Sequence, residues 1–108
     1  MIKKYILPVS WMGLIFLLSS IPGSSFKALP FPGCDKLIHF AEYMVLGFLW
    51  ARALAPGTAA AILIGIFFGI TDEYHQIFVP LRQFCVVDIV FDCIGVITGV
   101  ICQRLLRK

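Results

Sequence analysis

Three short stretches of the sequence carry nearly all of its reactive side chains: DKLIHFAEY at 35–43, DEYHQ at 72–76 and DIVFD at 88–92. Together they hold all six acidic residues and both histidines. His39 with Glu42 is the material of a general base and an orienting carboxylate. Asp72 and Asp92 could supply an acid, because clustered carboxyls in a low dielectric cannot all ionise. The catalytic candidates are therefore His39, Glu42, Asp72 and Asp92. Lys36 and Arg82 offer counter-charge, and the Arg82 fork could clamp a carboxylate or a phosphate through two hydrogen bonds. No serine or cysteine has an evident base partner, so covalent catalysis is not indicated. His39, Glu42, Asp72, Glu73 and His75 are also N/O donors of the metal-binding kind. The Glu-x-x-His repeats of carboxylate–histidine bundles are missing, however, and neither a metal nor another cofactor is expected.

The elements that must position these groups follow from hydropathy. Of the 108 residues, 60% are hydrophobic and 14% charged, against about 25% charged in soluble domains. Mean hydropathy is +0.96. A soluble globule this small cannot hide so much apolar surface, which makes lipid the expected solvent. Four apolar segments stand out, at about 5–21, 35–54, 58–79 and 86–103. About 20 helical residues cross a bilayer core, and in lipid the backbone must satisfy itself, which favours helices. Pro and Gly punctuate the connections, in IPGSSFKALPFPG at 21–33 and in Ala55-Pro56-Gly57. Pro80-Leu81-Arg82-Gln83 makes a third break. Short turns force antiparallel neighbours. The expectation is one all-α domain over 1–108, a polytopic four-helix transmembrane bundle. A secretory signal is the rival reading of the basic N-terminus, but Trp11 interrupts its apolar stretch and no A-x-A site follows.

Lysine and arginine set the orientation. With the N-terminus cytoplasmic, the inner side holds Lys3, Lys4, Arg52, Arg104, Arg107 and Lys108, and the outer side holds Lys27, Lys36 and Arg82. Six against three places both termini inside a multi-pass protein of the cell membrane. The same scatter of cations, at ends and turns without an aromatic-interleaved stripe, excludes nucleic acid as a partner. All the acids then fall in one layer near the outer face.

Helical phase gathers them further. At about 100° per residue, Asp35, His39 and Glu42 share a face of the second helix, and Asp72 and Gln76 share one on the third. His75 flanks that face, and Glu73 is expected to turn away from it. Asp88 and Asp92 lie one turn apart. Two G-x-x-x-G pairs, Gly65/Gly69 and Gly95/Gly99, continue the polar stripes, and small residues let helices approach closely in lipid. The stripes should face the interior. Ionisable groups at that depth are costly and usually functional. For Asp35, Lys36, Gln83 and Asp88 a bland reading competes, since helix ends are often polar because they reach water. A structural hydrogen-bond network holding the bundle is its strongest form. Four cysteines lack C-x-x-C spacing. Cys34 and Cys85 fall at outer helix ends, where an oxidising exterior would permit a bridge.

These residues resemble a known family. DKLIHFAEYMVLG at 35–47 resembles the D-K-x-x-H-x-x-x-Y-x-x-L-G signature of VanZ-like membrane proteins. DEYHQIFVPLR at 72–82 resembles that family's D-E-x-x-Q-x-x-x-P-x-R element, and DIVFDCIG at 88–95 is similar to its D-x-x-x-[ND]-x-x-G element. The resemblance implies signature roles for Asp35, Lys36, His39, Tyr43, Asp72, Glu73, Gln76, Arg82, Asp88, Asp92 and Gly95. One departure is Leu81, where the family usually has glycine before the arginine. VanZ itself is associated with low-level resistance to the glycopeptide teicoplanin.

The functional expectation is an outward-facing polar pocket that binds an envelope lipid, a peptidoglycan precursor or a glycopeptide. The binding residues would be Asp35, Lys36, His39, Glu42, Tyr43, Asp72, Glu73, Gln76, Arg82, Asp88 and Asp92. The alternative is a membrane-embedded acid/base enzyme acting on a lipid-linked or phosphate-containing substrate. Membrane lipids are partners under either reading, and homo-oligomer formation is left open.

Overall fold

The computed structural model describes residues 2–20, 34–55, 57–79 and 86–106, with only the backbone described for Ile2, Cys34 and Asp35. A 3-10 turn over Ile2–Tyr5 leads into α1 (Ile6–Ser19), followed by α2 (Cys34–Ala53), α3 (Thr58–Gln76) and α4 (Val86–Leu106). No strand occurs among the described residues. The Cys34–Cys85 bridge that an oxidising exterior would permit, and the pose of Arg82, fall outside the described residues.

The all-helical expectation holds with four helices. Length and composition qualify one of them as a membrane span among the described residues: α4, with 21 residues and a mean hydropathy of 1.9. At 1.5 Å per residue it is about 31 Å long, matching a bilayer core. The others miss for identifiable reasons. α1 has 14 residues. α2 carries Asp35, Lys36, Glu42 and Arg52, and α3 ends in the polar run TDEYHQ.

Glycines decide how the helices meet. A Cβ on Gly95 would lie 2.6 Å from the Phe40 carbonyl oxygen, and one on Gly99 would collide with the Met44 carbonyl oxygen. A Cβ on Gly47 would in turn strike the Val96 carbonyl. Backbone therefore packs directly on backbone between α2 and α4. Advancing one turn along α4 advances one turn along α2, so these two helices run parallel. α3 runs antiparallel to α4: Gly65 abuts the Val96 side chain and Gly69 abuts Asp92. The G-x-x-x-G stripes thus face the interior, as expected.

Away from the polar layer the core is apolar, built from Ile15, Leu46, Trp50, Ala61, Val96 and Val100 with their neighbours. α1 is pinned to α2 by the Trp11 indole, whose Nε1 donates to the Glu42 carbonyl at 2.8 Å. The outer surface is inverted relative to a soluble domain. Among the described residues twenty-three large apolar side chains are exposed, including Phe67 at 70% and Leu106 at 75%. Meanwhile His39, Asp72, Glu73, Gln76, Asp88 and Asp92 are all buried.

Candidate functional site

The site forms where α2, α3 and α4 converge. α2 presents His39 and Tyr43, one turn apart, on the face whose backbone meets α4. α4 presents Asp88 and Asp92, also one turn apart. Gly69 on α3 carries no side chain opposite Asp92; a Cβ there would lie 3.2 Å from the Asp92 Cβ and 3.4 Å from the Tyr43 ring. That vacancy admits the polar cluster between the helices.

Four contacts define the geometry. Nδ1 of His39 lies 2.9 Å from Oδ1 of Asp92, both side chains being buried. The Tyr43 hydroxyl donates to Oδ2 of Asp72 at 3.0 Å. Lys36 Nζ sits 2.7 Å from Oδ1 of Asp88, an ion pair at the mouth of the cluster, where the lysine is 27% exposed and the aspartate 8%. The rings of His39 and Tyr43 are nearly coplanar in direction, 6.5 Å apart, so both project their polar atoms toward α3 and α4. Glu73 and Gln76 complete the wall from α3, at 0% and 1% exposure.

Several buried polar atoms meet no hydrogen-bond partner among the described residues: Oδ1 of Asp72, Oδ2 of Asp92 and Nε2 of Gln76. Asp72 and Asp92 each use one carboxylate oxygen within the protein and leave the other open. Leaving such an atom unmatched costs about 1–3 kcal/mol. The open atoms are two acceptor oxygens and one donor nitrogen.

The structure brings together His39, Tyr43, Asp72, Glu73, Gln76 and Asp92, with Lys36 and Asp88 beside them. Three placements differ from the sequence-based expectation. The carboxylate bonded to His39 Nδ1 is that of Asp92, from another helix, a pairing that the sequence did not single out. Glu42 is half-buried, and its main-chain carbonyl accepts the Trp11 indole. Glu73 does not turn away: it is fully buried, with its carboxylate close to His39 and Asp92. α3 packs against two helices at once, so residues 100° apart both face inward. His75 leaves the cluster for α1, stacked on Phe16 with ring centroids 4.2 Å apart and Nε2 3.0 Å from the Ser20 hydroxyl. The side chains of Asp35 and Arg82 lie outside the described residues. Gly47 and Trp11 position the site and were missed as such. Gly47 closes the D-K-x-x-H-x-x-x-Y-x-x-L-G stretch but stands outside any G-x-x-x-G pair, so its packing role carried no local signal.

The comparisons with known proteins agree with the motifs. The chain belongs to the VanZ/LLP1 family, whose model matches residues 4–107. Among curated proteins it is similar to Uncharacterized protein C11E3.10 of Schizosaccharomyces pombe, 33% identical over 86 residues, which are 75% of this chain and 53% of that relative. The chain thus spans about half the length of the curated relative it matches. No solved structure matches.

Proposed function

We infer that this is a polytopic membrane protein whose four helices cross the bilayer with both termini cytoplasmic, and that its buried polar cluster binds the headgroup of an envelope lipid or lipid-linked precursor. The observation that carries the reading is the inverted distribution of polarity. Soluble domains bury large apolar side chains and expose charged ones. Among the described residues four carboxylates, an imidazole and two carboxamides are enclosed while phenylalanines, leucines and isoleucines coat the outside. Such an arrangement is favourable in lipid, where an intramembrane ionisable group belongs in the bundle interior.

The unmatched atoms describe the ligand. Asp72 Oδ1 and Asp92 Oδ2 ask for donors, and Gln76 Nε2 asks for an acceptor. A headgroup bearing hydroxyl groups supplies both kinds; an ammonium supplies donors alone and a bare phosphate acceptors alone. Lys36 already neutralises Asp88. An apolar groove between α1 and α3, lined by Met12, Leu63, Ile64, Phe67, Phe68 and Thr71, offers a place for an acyl chain. It reaches the polar layer, since Thr71 adjoins Asp72 and the Phe68 ring lies 6.2 Å from that of Tyr43.

The test is native mass spectrometry of the chain released from membranes without delipidation. A retained lipid of defined mass, lost in Asp72→Asn and Gln76→Ala but kept in Thr98→Ala, supports the reading. Thr98 bonds its own helix at the Ile94 carbonyl and stands apart from the cluster. Loss of no lipid in either cluster variant, or no bound lipid at all, rejects it.

One observation favours the enzymatic alternative. A histidine held by a buried carboxylate at 2.9 Å is oriented as a general base would be. In that case His39→Gln abolishes turnover of the retained lipid while its binding persists. If both are unaffected, the histidine–aspartate pair is structural.

A further inference from the structure

We propose that His39, Glu73 and Asp92 form a site for one divalent transition-metal ion. The three come from three different helices, α2, α3 and α4. One donor atom from each lies within 4.8 Å of the other two. Their exposures are 6%, 0% and 0%, so they meet in an enclosed space rather than on a surface where acids gather without consequence.

A second, independent observation points to a ligand at the same place. Asp92 is wholly buried, yet its Oδ2 has no hydrogen-bond partner among the described residues. Asp72, which is 3% exposed, leaves Oδ1 in the same condition. An anionic oxygen at this depth needs a hydrogen bond or a cation. The Lys36 ammonium is drawn to Asp88 at 2.7 Å. α3 packs closely on the open side of Asp92: a Cβ on Gly69 would lie 3.3 Å from Oδ2, so glycine is what keeps a side chain off that oxygen.

His39 Nδ1 and Asp92 Oδ1 stand 2.9 Å apart, at hydrogen-bond distance. Two donors each about 2.1 Å from a tetrahedral ion stand about 3.4 Å apart, so an ion entering between them replaces that hydrogen bond and spreads the pair by about half an ångström. One imidazole with two carboxylates selects zinc, manganese or ferrous iron over calcium and magnesium, which favour all-oxygen shells. The proposal does not depend on the lipid reading, because it stands on the three side chains alone.

The experiment uses the full chain in lipid nanodiscs, stripped with chelator, re-equilibrated with Zn²⁺ and desalted. Metal analysis should find about one zinc per chain, and zinc-edge X-ray absorption should show N/O donors at about 2.0–2.2 Å with no sulfur shell. The sulfur criterion matters because the Cys93 thiol directly follows Asp92 in the chain and is free. Glu73→Gln and Asp92→Asn, which keep shape and remove charge, should each weaken zinc binding by more than about 100-fold. His75→Ala should bind as the wild type does. Failure of the wild-type chain to retain zinc, a sulfur donor in its shell, or wild-type affinity in both isosteric variants overturns the proposal. If either variant fails to fold, the wild-type stoichiometry and absorption spectrum still decide it. A chain that keeps lipid but no zinc defeats this proposal and leaves the lipid reading standing; the reverse outcome does the opposite.

Discussion

The two oxygens of Asp72 have unequal surroundings: Oδ2 accepts from the Tyr43 hydroxyl, and Oδ1 is open toward the cluster. Tyr43 is therefore what holds this carboxylate in place, and it is itself fully buried. Tyr43→Phe keeps the ring and removes the donor, leaving a second buried oxygen unmatched. The expected cost is about 1–3 kcal/mol, read as a lowered thermal midpoint of the chain in detergent; an unchanged midpoint would mean that water fills the gap without penalty. The Lys36–Asp88 pair predicts an asymmetry. Lysine can snorkel to the surface when its partner is lost, whereas Asp88, at 5% exposure, cannot follow. Lys36→Met should thus destabilise more than Asp88→Asn, and combining the two should recover much of the loss. Equal single effects with simple additivity would show that the two charges do not sense each other.

At the scale of the helices, close approach is the controlling term. Gly99 and Gly13 make a matched comparison, since both are helical glycines. A methyl on Gly99 meets the Met44 carbonyl, while one on Gly13 meets nothing within 4 Å. Replacing glycine by alanine in an open helical position gains about 0.5–1 kcal/mol from chain entropy. Gly13→Ala should accordingly raise the thermal midpoint slightly, and Gly99→Ala should lower it by forcing α2 and α4 apart. Thermal unfolding of both variants in one detergent gives the answer, and a stable Gly99→Ala chain would contradict the backbone contact. The G-x-x-x-G stripes were legible in the sequence because two glycines four apart mark one face. Gly47 was not, because the partner surface it answers lies on α4. The inward turn of Glu73 was hidden for a similar reason. A single-helix projection assigns one inner face, but α3 has two inner neighbours, and their positions are tertiary information. His75 was drawn away by α1, whose Phe16 and Ser20 sit 59 and 55 residues earlier.

For the molecule as a whole, what the sequence revealed well was the grouping of acids and histidines at one level, since that follows from counting residues along four apolar segments. Which carboxylate pairs with which base was not legible: helical phase fixes a direction, not the neighbour in that direction. Chemistry on intact cells tests the proposed topology. In a background lacking the native cysteines, Phe78→Cys at the end of α3 should react with a membrane-impermeant maleimide from outside. Ala55→Cys, in the turn between α2 and α3, should react only after permeabilisation. Labelling of both from the same side would remove the proposed crossing of α3. The direct backbone contact between α2 and α4 has a further consequence. With Gly47, Gly95 and Gly99 interlocked against opposing carbonyls, those two helices have no slack in which to slide or tilt separately, and they move as a single strut. Under the proposed lipid reading, a headgroup would then enter by displacement of α1 or α3, with His39 and Asp92 on the interlocked pair and Asp72, Glu73 and Gln76 on the helix across from it.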